Sequence, residues 1–109
     1  PFHCELMRPA RIVMEKEIEK IEFNKPNNPI YSNVTASYSK DPKELKKLLI
    51  EQIEKPVRWR EIIINMIKND IQKFIEIGPG KVLSGLIKRI DRNKEIIQVN
   101  NIQDIKNLN

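Results

Sequence analysis

Apolar residues recur along this chain with two different periods. From Glu5 onward Met7, Ala10, Met14, Ile18 and Ile21 fall on one face at helical spacing, and Leu6 and Val13 widen it. Pro9 lies in the first turns, where proline is best tolerated. Asn24 to Pro29 reads as a loop from its Asn and Pro content, and Ile30 to Thr35 then alternates as a strand does. Asp41-Pro42-Lys43-Glu44 predicts a helix start: Asp41 caps, Pro42 takes the first helical position and Glu44 serves as the capping-box acid. Leu45, Leu48, Leu49 and Ile53 form its stripe, Gln52 lies near its end, and Lys55-Pro56 breaks it. A further stripe, Trp59, Ile62, Ile63, Met66 and Ile67, predicts a helix that stops at Asn69-Asp70.

The next stretch is the most structured of the sequence. Phe74, Ile75 and Ile77 suit a mostly buried strand. Gly78-Pro79-Gly80 is a hinge: its glycines permit positive φ, and Pro79 suits a helix start. Val82, Leu83, Leu86, Ile87 and Ile90 then recur as one helical stripe. Gly85 interrupts that helix at a cost of about 1 kcal/mol relative to alanine, for which close packing is the expected reason. A strand at Ile96 to Val99 and a helix from Ile102 to Leu108, anchored by Ile102 and Ile105, close the chain. The order helix, strand, helix, helix, strand, helix, strand, helix predicts an α/β fold with a mainly parallel sheet. Three strands make a narrow sheet, incomplete in this chain.

Composition narrows the chemistry. The 109 residues are 39% hydrophobic and only 6% aromatic, so the core is mainly isoleucine and leucine. Net charge is +5, but glutamates accompany the basic residues on most helices. A dedicated nucleic-acid binder more often clusters its charge among aromatics. Cys4 and His3 are the single cysteine and the single histidine. An internal disulfide and a Cys/His metal cluster are thereby excluded. No apolar run approaches the ~20 residues of a membrane-spanning helix. Gly80-Lys81 fails as a phosphate-binding loop, with Ile75 where the first glycine belongs and Val82 where a Ser or Thr belongs. No serine stands in a Gly-x-Ser-x-Gly elbow. Read alone, His3 is a surface residue or a general base, and Lys81, Lys88, Arg89 and Arg92 are a solvated face or a contact for an acidic partner.

Four segments in series change this picture: Phe2-His3-Cys4-Glu5-Leu6-Met7, Ser32-Asn33-Val34-Thr35-Ala36, Gln52 followed by Pro56-Val57-Arg58-Trp59, and Glu76 to Ile90 around the Gly-Pro-Gly hinge. Together they resemble the C-terminal third of the malonyl-CoA:acyl-carrier-protein transacylase family. The resemblance runs to about Asp91. It implies the C-terminal part of an α/β-hydrolase-like, three-layer subdomain, with the serine elbow and a ferredoxin-like subdomain outside this chain. It implies ping-pong acyl transfer in fatty-acid synthesis, from malonyl-CoA to a serine and then to the phosphopantetheine of acyl carrier protein. In that reading His3 is the general base and the backbone carbonyl of Gln52 orients it. No cofactor is bound, no nucleic acid or membrane takes part, and the isolated segment is inactive without the preceding segment of the same enzyme. The expected location is the bacterial cytoplasm, a plastid or a mitochondrion. Lys81, Lys88 and Arg89 are candidates for docking the acidic carrier protein. A basic nucleic-acid module and a purely structural fragment are the alternatives.

Overall fold

The computed structural model describes residues 2–108, in two compact units that divide at Asn65 and Met66, within one helix. Pro1 and Asn109 lie outside the described residues.

The first unit opens with a 3-10 turn, Glu5–Met7, that runs into α1 (Arg8–Glu19), with Pro9 in the first turn. β1 (Ile30–Tyr31) and β2 (Tyr38–Ser39) pair antiparallel, and the rings of Tyr31 and Tyr38 meet across the pair at 5.6 Å. α2 (Pro42–Glu51) and α3 (Trp59–Lys68) follow. The core of this unit is Ile18, Ala36, Leu45, Leu48, Ile62 and Ile63. Lys46 of α2 joins α1 to α2 by donating from Nζ to the carbonyls of Glu19 and Ile21, at 2.8 and 2.7 Å. It thereby satisfies acceptors that the end of α1 leaves open.

The second unit is a β-α-β element. β3 (Lys73–Ile77) pairs in parallel with β4 (Glu95–Val99), Lys73 opposite Glu95 and Ile77 opposite Val99. α4 (Val82–Ile90) makes the crossover and packs on both strands. α5 (Ile102–Lys106) closes the chain with a capping box between Asn101 and Asp104. Gly78 and Gly80 have φ of +130° and +95°, so both hinge glycines are required by the backbone. The turn is tied to β4 through Gly78 N–H to the Val99 carbonyl and Gly80 N–H to Asn100 Oδ1.

The fold is α/β with a two-stranded parallel sheet, and several expectations need correction. The three expected strands do not form one sheet; the antiparallel β1–β2 pair is separate from the parallel β3–β4 pair. The strand expected through Thr35 stops at Tyr31, because Ser32 forms a turn instead. Its Oγ accepts from Val34 N–H, its carbonyl accepts from Ala36 N–H, and Ala36 adopts φ +56°. Asp41 caps α2 through Lys43 N–H, but Glu44 does not close a capping box. Ser39 Oγ stands between them, accepting from Asp41 N–H and donating to Glu44. Pro79 lies in the turn before α4 and not in its first position, which Val82 holds. On α1 the half-buried face includes Arg11 and Glu15, while Leu6, Val13 and Ile21 are exposed. Ile102 and Ile105 are likewise exposed and do not anchor α5. Gly85 is exposed, and a Cβ there would meet nothing within 4 Å among the described residues, so packing within them does not account for it.

The largest correction concerns β3. Ile75 and Ile77 point outward, 46% and 81% exposed, while Phe74 and Glu76 face inward. Glu76 sits inward because it caps α4. Its carboxylate accepts the N–H groups of Leu83 and Ser84, at 3.1 and 2.8 Å, and the Ser84 hydroxyl. A helix start carries unpaired donors and a partial positive charge, and a carboxylate from the preceding strand answers both. The Ser84 hydroxyl, with the two N–H groups, outweighs partial burial and holds the Glu76 carboxyl below the usual glutamate range.

A depressed native pKa means that Glu76 contributes stability fully present above the ordinary glutamate range. That contribution is lost as pH falls through the native value. Thermal melts of Glu76→Gln are therefore expected to lie below wild type at neutral pH and to converge with it in acid. A constant gap across pH contradicts the cap.

Candidate functional site

The site forms where α2 ends. An α-helix satisfies the carbonyl of residue 52 from the N–H of residue 56, but residue 56 is Pro56 and has none. Gln52 is the C-cap of α2, so its carbonyl is open to another donor. His3 supplies it: Nδ1 lies 2.7 Å from the Gln52 carbonyl oxygen. The next carbonyl along, that of Ile53, accepts the backbone N–H of His3 at 3.1 Å. The third residue of the turn, Glu54, takes Arg8 Nε at 2.9 Å and Arg11 Nε on its other oxygen. Three consecutive residues thus grip the segment His3 to Arg11. A fourth contact, Arg11 to Glu15, extends the ion pairs along α1.

This grip fixes the imidazole. A carbonyl only accepts, so the Nδ1 of His3 carries the proton and donates it to Gln52. Nε2 is left with a lone pair for a second proton. The His3 backbone has φ +65°, a left-handed conformation that is uncommon outside glycine and collects at functional sites. The bonds to Gln52 and Ile53 hold it there. His3 is half-buried, as is the adjacent Cys4.

The charges of the grip are mutually adjusted. Partial burial pushes the Glu54 carboxyl up, but hydrogen bonds and charge from Arg8 and Arg11 outweigh this and leave it below the usual range. The Arg11 guanidinium is raised above its ordinary value, first by its hydrogen bond to Glu54.

Of the residues singled out from the sequence, His3 and Gln52 are therefore brought together. Lys81, Lys88 and Arg89 belong to the second unit. Lys81 is the N-cap residue of α4, whose side chain makes no cap bond, and Lys88 and Arg89 lie in its last turn; all three are exposed. Among the described residues no group of three or more His, Cys, Asp or Glu side chains could hold a metal ion, and no helix is long and apolar enough to cross a membrane.

Sequence reasoning missed Glu54, Arg8 and Arg11, and it missed a further contact: Asn33 Nδ2 donates to the Gln52 side-chain oxygen at 2.9 Å. The spacing of Pro56 four residues after Gln52 was a usable signal for the open carbonyl. The Asn33 and Glu54 contacts span 19 and more than 40 residues, and no local pattern announces them.

Comparison with known proteins gives a consistent picture. No family model matches the chain. The malonyl CoA-acyl carrier protein transacylase of Bacillus subtilis is 40% identical over 106 residues, 97% of this chain and 33% of the relative. That of Haemophilus influenzae is 36% identical over 102 residues, again 33% of its length. The crystal structure of an acyl carrier protein S-malonyltransferase from Vibrio cholerae superposes with a TM-score of 0.91 at 40% identity, covering all of this chain and 36% of its own. A malonyl-transacylase solved in complex with a type II polyketide acyl-carrier protein matches with a TM-score of 0.89 at 34% identity, covering 97% of this chain and 34% of its own. The chain spans about a third of the length of the relatives it matches.

Glu54→Ala leaves Arg8 and Arg11 without their shared acceptor. The start of α1 is expected to loosen, seen as faster amide exchange from Glu5 to Arg11 with α3 unchanged. Exchange rates equal to wild type in that stretch contradict the grip.

Proposed function

Since the chain belongs, over about a third of their length, to the malonyl-CoA:acyl-carrier-protein transacylase family, we propose that it is the C-terminal part of the large subdomain of such an enzyme and supplies its general base. The observation that carries this reading is the His3 Nδ1 contact to the Gln52 carbonyl. The serine nucleophile belongs to a part of the enzyme outside these 109 residues, and these residues by themselves do not turn over.

The chemistry is a two-step exchange. In the first step Nε2 of His3 takes the serine proton as the serine oxygen attacks the malonyl thioester. The carbon–sulfur bond breaks, and the imidazolium returns the proton to the departing coenzyme A thiolate. In the second step Nε2 takes the proton of the phosphopantetheine thiol, the thiolate attacks the malonyl-serine ester, and the proton passes back to the serine oxygen. Gln52 contributes throughout by a neutral backbone acceptor. It fixes the tautomer and steadies the imidazolium without placing a second full charge in the site, the part an aspartate plays in other triads. Exposed Lys81, Lys88 and Arg89 offer positive charge to an acidic carrier protein, where it acts chiefly on encounter.

In the complete acyltransferase, His3→Ala is expected to lower malonyl transfer by about 10²–10⁴-fold, the usual contribution of a positioned base. Near-normal transfer to carrier protein sinks the assignment. Charge reversal at Lys88 and Arg89 is expected to raise the apparent KM for carrier protein and flatten its salt dependence, with that for malonyl-CoA unchanged. If both carrier-protein quantities stay at wild type, these residues do not dock it.

A further inference from the structure

We propose that Asn33 is a positioning residue for the base, acting on His3 through Gln52. The inference rests on reading His3 as that base. Gln52 is held at two points: its backbone carbonyl receives the His3 proton, and its side-chain oxygen receives Asn33 Nδ2 at 2.9 Å. The peptide plane that carries the catalytic acceptor also carries the N–H of Ile53. That N–H donates to the Ile50 carbonyl at 3.3 Å, so the orientation of this plane is shared between the helix end and the contacts of Gln52 itself. The Gln52 side chain borders a hollow of about 260 Å³ beside Phe23, Tyr31, Leu45 and Leu48. The amide of Asn33 is the specific tether.

A tether works only if its own base is fixed, and this one is. Asn33 belongs to the turn after β1, in which Ser32 and Ala36 are buried. The turn is bonded internally, from Ser32 N–H to the Ser37 carbonyl at 3.0 Å and from Ala36 N–H to the Ser32 carbonyl at 2.9 Å. It is also held from outside. The Asn33 carbonyl accepts Arg58 N–H, the Val34 carbonyl accepts Arg58 Nη1, and the Ala36 carbonyl accepts Asn65 Nδ2. The tether explains a choice that the backbone role alone leaves open. Any residue offers a carbonyl, but only one with a side-chain acceptor of this length reaches Asn33.

The test is a double-mutant cycle in the complete acyltransferase, measuring kcat and KM for malonyl-CoA in transfer to carrier protein. Asn33→Ala and Gln52→Ala are each expected to lower kcat about tenfold, as small misplacement of a catalytic group does, with KM within about twofold. The double variant is expected to be no worse than the weaker single one. Asn33→Asp should recover most of the kcat lost in Asn33→Ala, because the Gln52 amide can rotate and donate Nε2 to the new carboxylate. Multiplying defects, an unchanged kcat, a rise in KM alone, or an Asn33→Asp as poor as Asn33→Ala each overturns the proposal. If Asn33→Ala does not fold, Gln52→Leu, which leaves the turn intact, decides: a roughly tenfold loss of kcat supports the tether and wild-type kcat refutes it. His3→Ala run alongside separates the two readings. An active His3→Ala removes the base assignment itself, whereas an inactive one beside a normal Asn33→Ala removes only the tether.

Discussion

A helix that cannot continue leaves carbonyls that must find donors, and the end of α2 is that situation. Pro56 withholds the N–H that the Gln52 carbonyl would otherwise receive. An unmet backbone acceptor costs free energy when shielded from water. In this chain the open carbonyls of Gln52 and Ile53 are answered by the side chain and the backbone of one residue, His3. Glu54, immediately after, draws in Arg8 and Arg11. A helix C-terminus has thus become a three-point seat for the segment His3 to Arg11, more than 40 residues away in sequence. The imidazole inherits its tautomer from that seat, and the left-handed backbone of His3 is sustained by it.

The second unit solves the opposite problem with a related device. A helix start leaves donors, and Glu76 on β3 supplies the acceptors for Leu83, Ser84 and the Ser84 hydroxyl. The hinge glycines let the chain reverse tightly enough for a strand carboxylate to reach the next helix, and Asn100, just past β4, secures the reversal. This places the Gly-Pro-Gly turn as a structural device. In both units a helix terminus is completed by a residue outside the helix, and the ends of the elements, more than their stripes, position the polar groups.

That distinction explains what the sequence could and could not convey. The helices α2, α3 and α4 were legible because apolar spacing and cap chemistry are local signals. The β-α-β order of the second unit was legible for the same reason. The inward turn of Glu76 was not, since composition makes Ile75 and Ile77 the buried candidates, and only the position of the α4 start reverses the face. The turn at Ser32 defeated the alternation of Ile30 to Thr35 because a hydroxyl-to-backbone bond outcompeted the ladder. His3 was a candidate base by residue type alone, but its pairing with Gln52 came through family resemblance. Periodicity had no means of pairing residues 49 positions apart. Asn33 stood out only as part of a resemblance segment, and its contact with Gln52 spans 19 residues.

The Gln52 carbonyl fixes His3 with its proton on Nδ1 and its lone pair on Nε2. Nitrogen-15 NMR of the imidazole reads this directly, and His3 is the single histidine of the chain, so the signal within it is unambiguous. With the ring neutral, the account requires the Nδ1–H tautomer, and a shift of population away from it when Gln52 is replaced by proline, which perturbs that carbonyl. A neutral ring protonated on Nε2 in the unsubstituted protein contradicts it.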